Sequence, residues 1–343
     1  MLVLCGAAVE QFRVWSVNGS RAVKVNGNSG IDSAVQDCMN HSWRTAAHRQ
    51  WPASSRRRGA YTLVDLLLTL IALIVLAAIA FAALRGSLQK IAAGNKDAEQ
   101  LRGIQIAMVA FAVQNNGNYP LPSAIDLADQ TIQAHAASKD TTANIFSVLI
   151  WTGHLSTHHF VSPAEANPRI RQCLSYELDR PASARSPMNA LWDPAFSADF
   201  TSGKGGNVSY AHLQPAGQRR SLWQNSFALD APIISNRGPE IANLTYAPKI
   251  ARPTVTFAKG DSYTFLIHGS KSSWEGNVVY NDGSLEYDTS PAPARAKRIT
   301  VNGRLVRDTL FFDETDPAAA SNAYLGIFTK SGETPADFTA IWD

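Results

Sequence analysis

The most regular feature of the chain is an uninterrupted apolar run of nineteen residues from Leu66 to Leu84. Thr69 is its only polar side chain, and the run contains neither glycine nor proline. A helix of this length, at about 1.5 Å per residue, extends roughly 28 Å, close to the hydrocarbon thickness of a bilayer. The pattern predicts one membrane-spanning helix. A buried core helix of a soluble protein is the alternative, although such helices usually carry a polar stripe.

A second pattern, with a period of 3.6 residues, follows over residues 98–116. Its apolar positions Leu101, Ile104, Met108 and Phe111 fall on one helical face. The sequence NNGNYP at residues 115–120 then supplies glycine and proline, which end helices. The spacing predicts an amphipathic helix that packs one face on the rest of the protein.

The last third of the chain has strand character, whereas residues 121–200 predict loops and short elements. β-Branched and aromatic residues between turn residues predict strands at 208–213, 227–229, 254–257, 263–267, 277–280, 285–287 and 310–312. Asp282 and Gly283 separate two of these strands, which predicts a hairpin with a type I′ turn. The fold class is therefore α+β with an antiparallel sheet.

The composition narrows the class of protein. Of the 343 residues, 45% are hydrophobic and 17% are charged, which excludes a disordered chain and a protein with many membrane spans. The cysteines Cys5, Cys38 and Cys173 include no close pair. A disulfide scaffold, a zinc ribbon and a CxxC redox site are therefore excluded.

Charge is distributed unevenly along the chain. Residues 1–60 hold eight of the 31 basic and three of the 28 acidic residues, which leaves 23 basic and 25 acidic residues in the remainder. This weakly acidic remainder does not favour a nucleic-acid partner, and we expect none. Arg56, Arg57 and Arg58 immediately precede the apolar run. The positive-inside rule thus places the N-terminal side in the cytoplasm and the following domain outside it.

Patterns typical of catalysis or metal binding are sparse. The chain contains no GxSxG, HExxH, Walker, kinase or EF-hand pattern. His154 and His158 have the i, i+4 spacing of a metal-binding pair, with His159 beside them, but a packed or exposed histidine group is favoured. Asp282 is compatible with a catalytic role or a calcium ligand, yet a turn aspartate is the commoner occurrence. We expect no enzyme activity, cofactor or metal site.

Asp65 is the one charged residue at the mouth of the predicted span, where a carboxylate is costly unless it has a partner. The sequence GAYTLVDLL at residues 59–67 resembles the type IV pilin and pseudopilin signature. The resemblance implies that prepilin peptidase cuts between Ala60 and Tyr61 and methylates the new N-terminus; a cut between Gly59 and Ala60 is the alternative. It also implies that Asp65, which replaces the usual Glu, pairs with a neighbouring subunit's N-terminal ammonium during assembly.

The same resemblance implies the organisation of the chain. The expected parts are a leader (1–60), a transmembrane helix (61–85), an amphipathic helical spine (86–120) and an exported α+β domain (121–343) with a β-rich C-terminal part. The spine is expected to pack on the antiparallel sheet in a pilin-like fold. Because this leader is long for the family, either translation begins at Met39 or the leader is unstructured.

Two later segments are similar to the large pseudopilin-like proteins of planctomycetes and verrucomicrobia. The first is LRGIQIAMVAFAVQNNGNYP at residues 101–120. The second lies near the C-terminus, where His268 precedes NVVYNDG at residues 277–283.

These resemblances imply a structural subunit of a type II secretion pseudopilus or a type IV pilus-like filament. Such a subunit has one inner-membrane span, a cytoplasmic N-terminus before processing and an extracytoplasmic C-terminal domain. Its expected partners are prepilin peptidase, other pilin-like subunits, the secretion or pilus assembly machinery and membrane lipid. The alternative is a single-span, membrane-anchored extracytoplasmic binding domain or enzyme that uses a pilin-type export signal.

Overall fold

The computed structural model describes residues 62–247, 251–314 and 320–343. Within these ranges the protein is mixed α+β: a long N-terminal helix precedes short helices and antiparallel strands. The predicted leader, including Ala60, and Tyr61 after it lie outside the described residues. The hydrophobic core and the sheets belong to one unit, Ile71–Asp343, and residues 62–70 belong to the unit before it.

Helix α1 extends from Leu63 to Gln114, a length of 52 residues. It ends where Asn116 adopts a left-handed backbone conformation with a φ of 53°. The Gly117 N–H then donates to the Ala112 carbonyl at 2.8 Å, the six-to-one hydrogen bond of a Schellman cap. The turn residues predicted to stop the helix do so, two residues before the end of the predicted range.

The first part of α1 is the candidate membrane span. Leu63–Phe81 has a mean hydropathy of 2.9, and none of this stretch is buried. By length and composition it can cross a membrane. Its exposure argues against the alternative of a buried core helix.

The second part of α1 packs one face into the main hydrophobic core. The predicted apolar positions Leu101, Ile104, Met108 and Phe111 are all buried there. On the opposite face Arg102 is exposed. The amphipathic helix predicted from the period of 3.6 residues is therefore confirmed.

In the described ranges, strands form one six-stranded sheet and two small two-stranded sheets. The strands are β1 (Tyr210–Leu213), β2 (Pro232–Asn236), β3 (Ile241–Thr245), β4 (Thr254–Phe257), β5 (Gly276–Tyr280), β6 (Leu285–Asp288), β7 (Arg298–Val301), β8 (Arg304–Arg307), β9 (Leu325–Lys330) and β10 (Thr339–Ile341). The large sheet has the order β10-β9-β1-β2-β5-β6, and β3–β4 and β7–β8 form the small sheets. Every pairing is antiparallel.

Short helices lie between the long helix and the first strand and also between later strands. The α-helices are α2 (Pro122–Ile125), α3 (Thr142–Trp151) and α4 (Tyr263–Leu266). The 3-10 helices are Ala136–Lys139, Thr157–Phe160, Gly217–Leu222 and Pro335–Asp337. The prediction of short elements over residues 121–200 agrees with this arrangement.

Four of the predicted strands are confirmed as β1, β4, β5 and β6. The strand predicted at 263–267 is wrong, because this segment forms helix α4. The Ser262 hydroxyl accepts a hydrogen bond from the Thr264 N–H at 3.2 Å and so caps the helix. This local hydrogen bond outweighs the β propensity of the aromatic and β-branched residues that follow.

The strands predicted at 227–229 and 310–312 are also wrong. Phe227 has a φ of 54°, which is incompatible with an extended strand. Leu310 donates to the Pro291 carbonyl at 2.8 Å and accepts from the Leu325 N–H at 2.6 Å. These separate backbone contacts replace a strand ladder.

The β5–β6 hairpin is confirmed, but its turn is not type I′. Gly283 has a φ of 83°, whereas Asn281 and Asp282 do not have positive φ. The Tyr280 carbonyl accepts from the Gly283 N–H, and the Ser284 carbonyl accepts from the Tyr280 N–H, each at 2.9 Å. This is a three-residue hairpin in which the glycine follows a type I turn.

Candidate functional site

Asp65, the predicted assembly residue, lies in the first turn of α1 and caps it. Its carboxylate accepts hydrogen bonds from the Thr62 N–H at 3.0 Å and the Thr62 hydroxyl at 2.8 Å. The Asp65 N–H donates in return to the Thr62 hydroxyl at 3.2 Å. This reciprocal arrangement is a capping box. Asp65 therefore also has a role within its own chain, which the resemblance did not predict.

A second candidate site is a buried group of polar side chains, the Asp97 cluster, defined as Asp97, Tyr210, Asn236, His268 and Asn277. They come from α1, from strands β1, β2 and β5, and from the turn after α4. Asp97 is fully buried, and Tyr210, Asn236 and Asn277 are also buried. The cluster therefore joins the long helix to three adjacent strands of the large sheet.

The Asp97 carboxylate is surrounded by donors. The Asn236 amide nitrogen lies 3.0 Å from both carboxylate oxygens, and the Asn277 amide nitrogen lies 2.8 Å from Oδ2. The Tyr210 hydroxyl lies 3.0 Å from Oδ1. Several donors of this kind satisfy a carboxylate in the interior, which would otherwise be strongly destabilising.

The orientation of the Asn236 amide fixes the proton position on His268. Because its NH₂ group faces Asp97, its oxygen points the other way, where it accepts from the Asn277 N–H at 2.7 Å. The same oxygen lies 3.0 Å from His268 Nε2. Nε2 therefore carries the proton of the neutral imidazole. Burial lowers the pKa of His268, while Asp97, 3.6 Å away, acts in the opposite direction.

Tyr210 links the cluster to a second polar side chain of α1. Its hydroxyl lies 2.9 Å from the Gln100 side-chain oxygen, and the Gln100 amide donates to the His158 carbonyl at 2.9 Å. Burial, with the Asp97 charge as a second cause, raises the pKa of Tyr210 well above its ordinary value. The phenol is therefore a neutral hydrogen-bonding group at any physiological pH.

The hydrogen bonds of the Asp97 cluster are suited to holding α1 in place on the sheet. Its donors and acceptors are directed at one another, and the His268 side chain is only 7% exposed. A substrate would have to displace these contacts to reach the carboxylate. The geometry indicates that the cluster fixes the rotation and register of α1 on the sheet.

The residues singled out near the C-terminus have different environments. His268 and Asn277, both in the segment similar to the large pseudopilin-like proteins, meet at Asp97. Asp282 is a turn residue: it accepts from the Ser284 N–H at 3.0 Å and lies 2.5 Å from the Arg295 guanidinium. The structure thus brings the histidine and asparagine together and places the aspartate elsewhere.

The histidine group does not form the i, i+4 pair that a metal site needs. Gly153 has a φ of 74° and follows the end of α3, while His158 lies in the separate 3-10 helix Thr157–Phe160. His154 Nδ1 lies 2.7 Å from the Thr152 hydroxyl. Among the described residues, no group of three or more His, Cys, Asp or Glu side chains could hold a metal ion.

Comparison of the chain with protein-family models, curated proteins and solved structures finds no match.

Proposed function

We propose that the chain is a pseudopilin-like structural subunit of a type II secretion or type IV pilus-like filament, processed by prepilin peptidase. Its single span lies in the inner membrane in this proposal, with the leader in the cytoplasm and the folded domain on the other side. Other pilin-like subunits, the assembly machinery and membrane lipid are its partners. The alternative remains an anchored extracytoplasmic binding domain or enzyme.

The observation that carries the proposal is the continuity of α1. Its first nineteen residues are exposed and, apart from Asp65 and Thr69, apolar, and the same helix continues to Gln114 with one face in the protein core. One helix thus includes both the candidate membrane span and, further along the chain, residues of the hydrophobic core. A pilin-like subunit is expected to combine the two in a single helix, whereas a tethered enzyme can be joined to its anchor by a flexible linker.

Despite the capping box, Asp65 still needs a partner of opposite charge. Hydrogen bonds from Thr62 partly satisfy the carboxylate, yet they are neutral and leave its full negative charge. No basic side chain within the described ranges forms an ion pair with Asp65. An N-terminal ammonium from a neighbouring subunit would neutralise that charge where lipid disfavours it.

Processing gives the first test. Mass spectrometry of the membrane-extracted protein is expected to find a mature chain that begins with methylated Tyr61. Replacing Ala60 with Trp should block the peptidase, because the residue before the cut must be small in this signature. A mature band of unchanged mobility in the Ala60→Trp variant would contradict the assigned cut.

The assembly role of Asp65 is tested by a series of variants. Asp65→Ala removes both cap and charge, and Asp65→Asn keeps an oxygen for Thr62 but removes the charge. We expect both to insert and fold but to lose subunit crosslinks in membranes. An unpaired ammonium in lipid costs about 2–4 kcal/mol per contact. Asp65→Glu should assemble, since it keeps the charge.

The series separates capping from charge pairing. If Asp65→Asn assembles like the parent and Asp65→Ala does not, the residue acts as a helix cap alone. If Asp65→Ala assembles like the parent, its proposed role is wrong and the anchored-domain alternative is favoured. Trypsin resistance of the extracted protein serves as the folding control.

A further inference from the structure

An open pocket of about 320 Å³ lies where α1 ends. Residues of the helix end and its cap border it, together with side chains from α2 and the 3-10 helix Gly217–Leu222. This volume is at the lower end of the range of small-molecule sites. The pocket therefore has room for a ligand of one ring with a short side chain.

One side of the pocket is apolar and rigid. It is formed by Phe111, Leu121 and Trp223, all of them buried. The Trp223 indole N–H donates to the Pro120 carbonyl at 3.0 Å, and the ring meets Tyr119 edge-on with centroids 5.7 Å apart. A ligand would meet this wall already in place, with little loss of side-chain entropy.

The other side of the pocket carries one positive charge. Arg220 is exposed, and within the described part of the chain its guanidinium has no hydrogen bond or ion pair. Asp140, whose charge acts on Arg220, is held instead by the Ser123 N–H at 2.8 Å and the Ser123 hydroxyl at 2.7 Å. The exposed amide of Gln114 lies along the same lining.

The charges around the pocket select the ligand. Its lining contains no Asp or Glu, so it holds no carboxylate that would form an ion pair with a cation. A guanidinium is suited to a carboxylate, with which it forms two parallel hydrogen bonds. The pocket also lies at the carbonyl end of α1, where the helix dipole opposes an anion, so the single charge of Arg220 offsets this effect for a monoanion better than for a dianion.

We propose that this pocket binds a small monocarboxylate that carries one apolar ring. The carboxylate pairs with Arg220, the exposed amides contribute hydrogen bonds, and the ring lies against Phe111, Leu121 and Trp223. Dianionic phosphate binds more weakly because it has no apolar ring, and uncharged ring compounds bind more weakly because they have no carboxylate for Arg220. The site is independent of filament assembly.

Ligand-observed NMR titration of the detergent-solubilised full chain tests the proposal, with phenylacetate, phenylacetamide and inorganic phosphate as probes. Phenylacetate is expected to bind saturably and at least about tenfold more tightly than phenylacetamide, its uncharged analogue. Arg220→Gln should remove that preference. Ala124→Trp, which fills the exposed rim of the pocket, should abolish binding of both ring compounds.

Arg102→Gln is the matched control, because it removes an equally exposed arginine from the outer face of α1. It should bind phenylacetate like the parent. Absence of saturable binding to the parent up to 20 mM ligand, on the order of the weakest useful affinity, would overturn the proposal. Equal affinity for phenylacetate and phenylacetamide, or unchanged binding in Arg220→Gln, would also overturn it.

Discussion

Replacing Asp97 with Leu is expected to lower the free energy of unfolding by about 3–5 kcal/mol, because buried donors lose the acceptor that they share. The substitution leaves the Asn236 and Asn277 amides without their shared acceptor, whereas the Tyr210 hydroxyl keeps the Gln100 side-chain oxygen at 2.9 Å. Each unsatisfied buried donor costs roughly 1–3 kcal/mol, and the contributions are not fully additive. Leu also cannot reproduce the attraction to His268.

Asp97→Asn separates the shape of the residue from its charge. Its one oxygen can accept from Asn236 or Asn277, but its NH₂ group faces another donor. We expect a loss of about 1–3 kcal/mol, the cost of one or two unmade hydrogen bonds. The measurement is urea unfolding of the detergent-solubilised chain, followed by the fluorescence of buried tryptophans such as Trp274.

Glu99→Leu is the matched control for Asp97→Leu. Glu99 lies two residues further along α1 and is exposed, so its replacement should change the free energy of unfolding by no more than about 0.5 kcal/mol. If Asp97→Leu unfolds at the same urea concentration as the Glu99 variant, Asp97 does not hold α1 to the sheet. A loss of stability confined to Asp97→Leu would support the role of the Asp97 cluster in holding α1 to the sheet.

The sequence contained a signal for Asp97 that the apolar pattern alone did not reveal. The buried positions Leu101, Ile104 and Met108 follow spacings of three and four residues, and Asp97 lies four residues before Leu101 on the same face. An acid on the apolar face of an amphipathic helix predicts a buried, hydrogen-bonded carboxylate. Its partners could not be predicted, because Asn236 and Asn277 are 139 and 180 residues away.

The long helix α1 was more predictable than the sheet, and the hairpins explain why. The segment β7–β8 was missed although Asn302 and Gly303 lie between its strands with φ of 50° and 74°. Asn-Gly with two left-handed residues is the strongest hairpin signal. The Asp-Gly pair at 282–283, by contrast, belongs to a longer turn. Dipeptide identity alone therefore does not determine loop length, since the strand register also depends on cross-strand packing.

Strands β2 and β9 were missed for a different reason. Strand β2 begins at Pro232, and proline normally argues against a central strand although its first position tolerates it. Strand β9 includes Gly326, where a Cβ would lie 3.2 Å from the Cβ of Ala340 on β10. Glycine there permits close approach of the neighbouring strand. Whether this proline and this glycine fit a strand depends on neighbours that are distant in sequence.

Arg237 is the second residue whose loss should have a large effect. It follows β2 and its side chain is only 3% exposed. Its guanidinium contacts Glu165 through two hydrogen bonds of 2.6 and 3.0 Å, and Asp343 through one of 2.5 Å. The Phe200 ring covers it at 5.3 Å from the ring centroid. One buried cation thus holds two carboxylates from distant parts of the chain.

Arg237→Met is expected to lower the free energy of unfolding by about 3–5 kcal/mol, because it retains much of the side-chain volume but leaves two buried carboxylates without their cation. Arg237→Lys should lose about half of that amount, since an ammonium cannot form the paired hydrogen bonds to Glu165. Urea unfolding provides the measurement. Arg102→Met, on the exposed face of α1, should stay within about 0.5 kcal/mol of the parent.

A double variant shows whether the loss comes from the unpaired charge. Glu165→Leu combined with Arg237→Met removes both members of the closest pair, and the combination should be less destabilised than the sum of the single variants by at least about 1 kcal/mol. Asp343 remains but is the more exposed carboxylate, at 10% against 4% for Glu165. Strict additivity of the two losses would mean that Arg237 stabilises the fold through its packing on Phe200, and the ion-pair argument would fail.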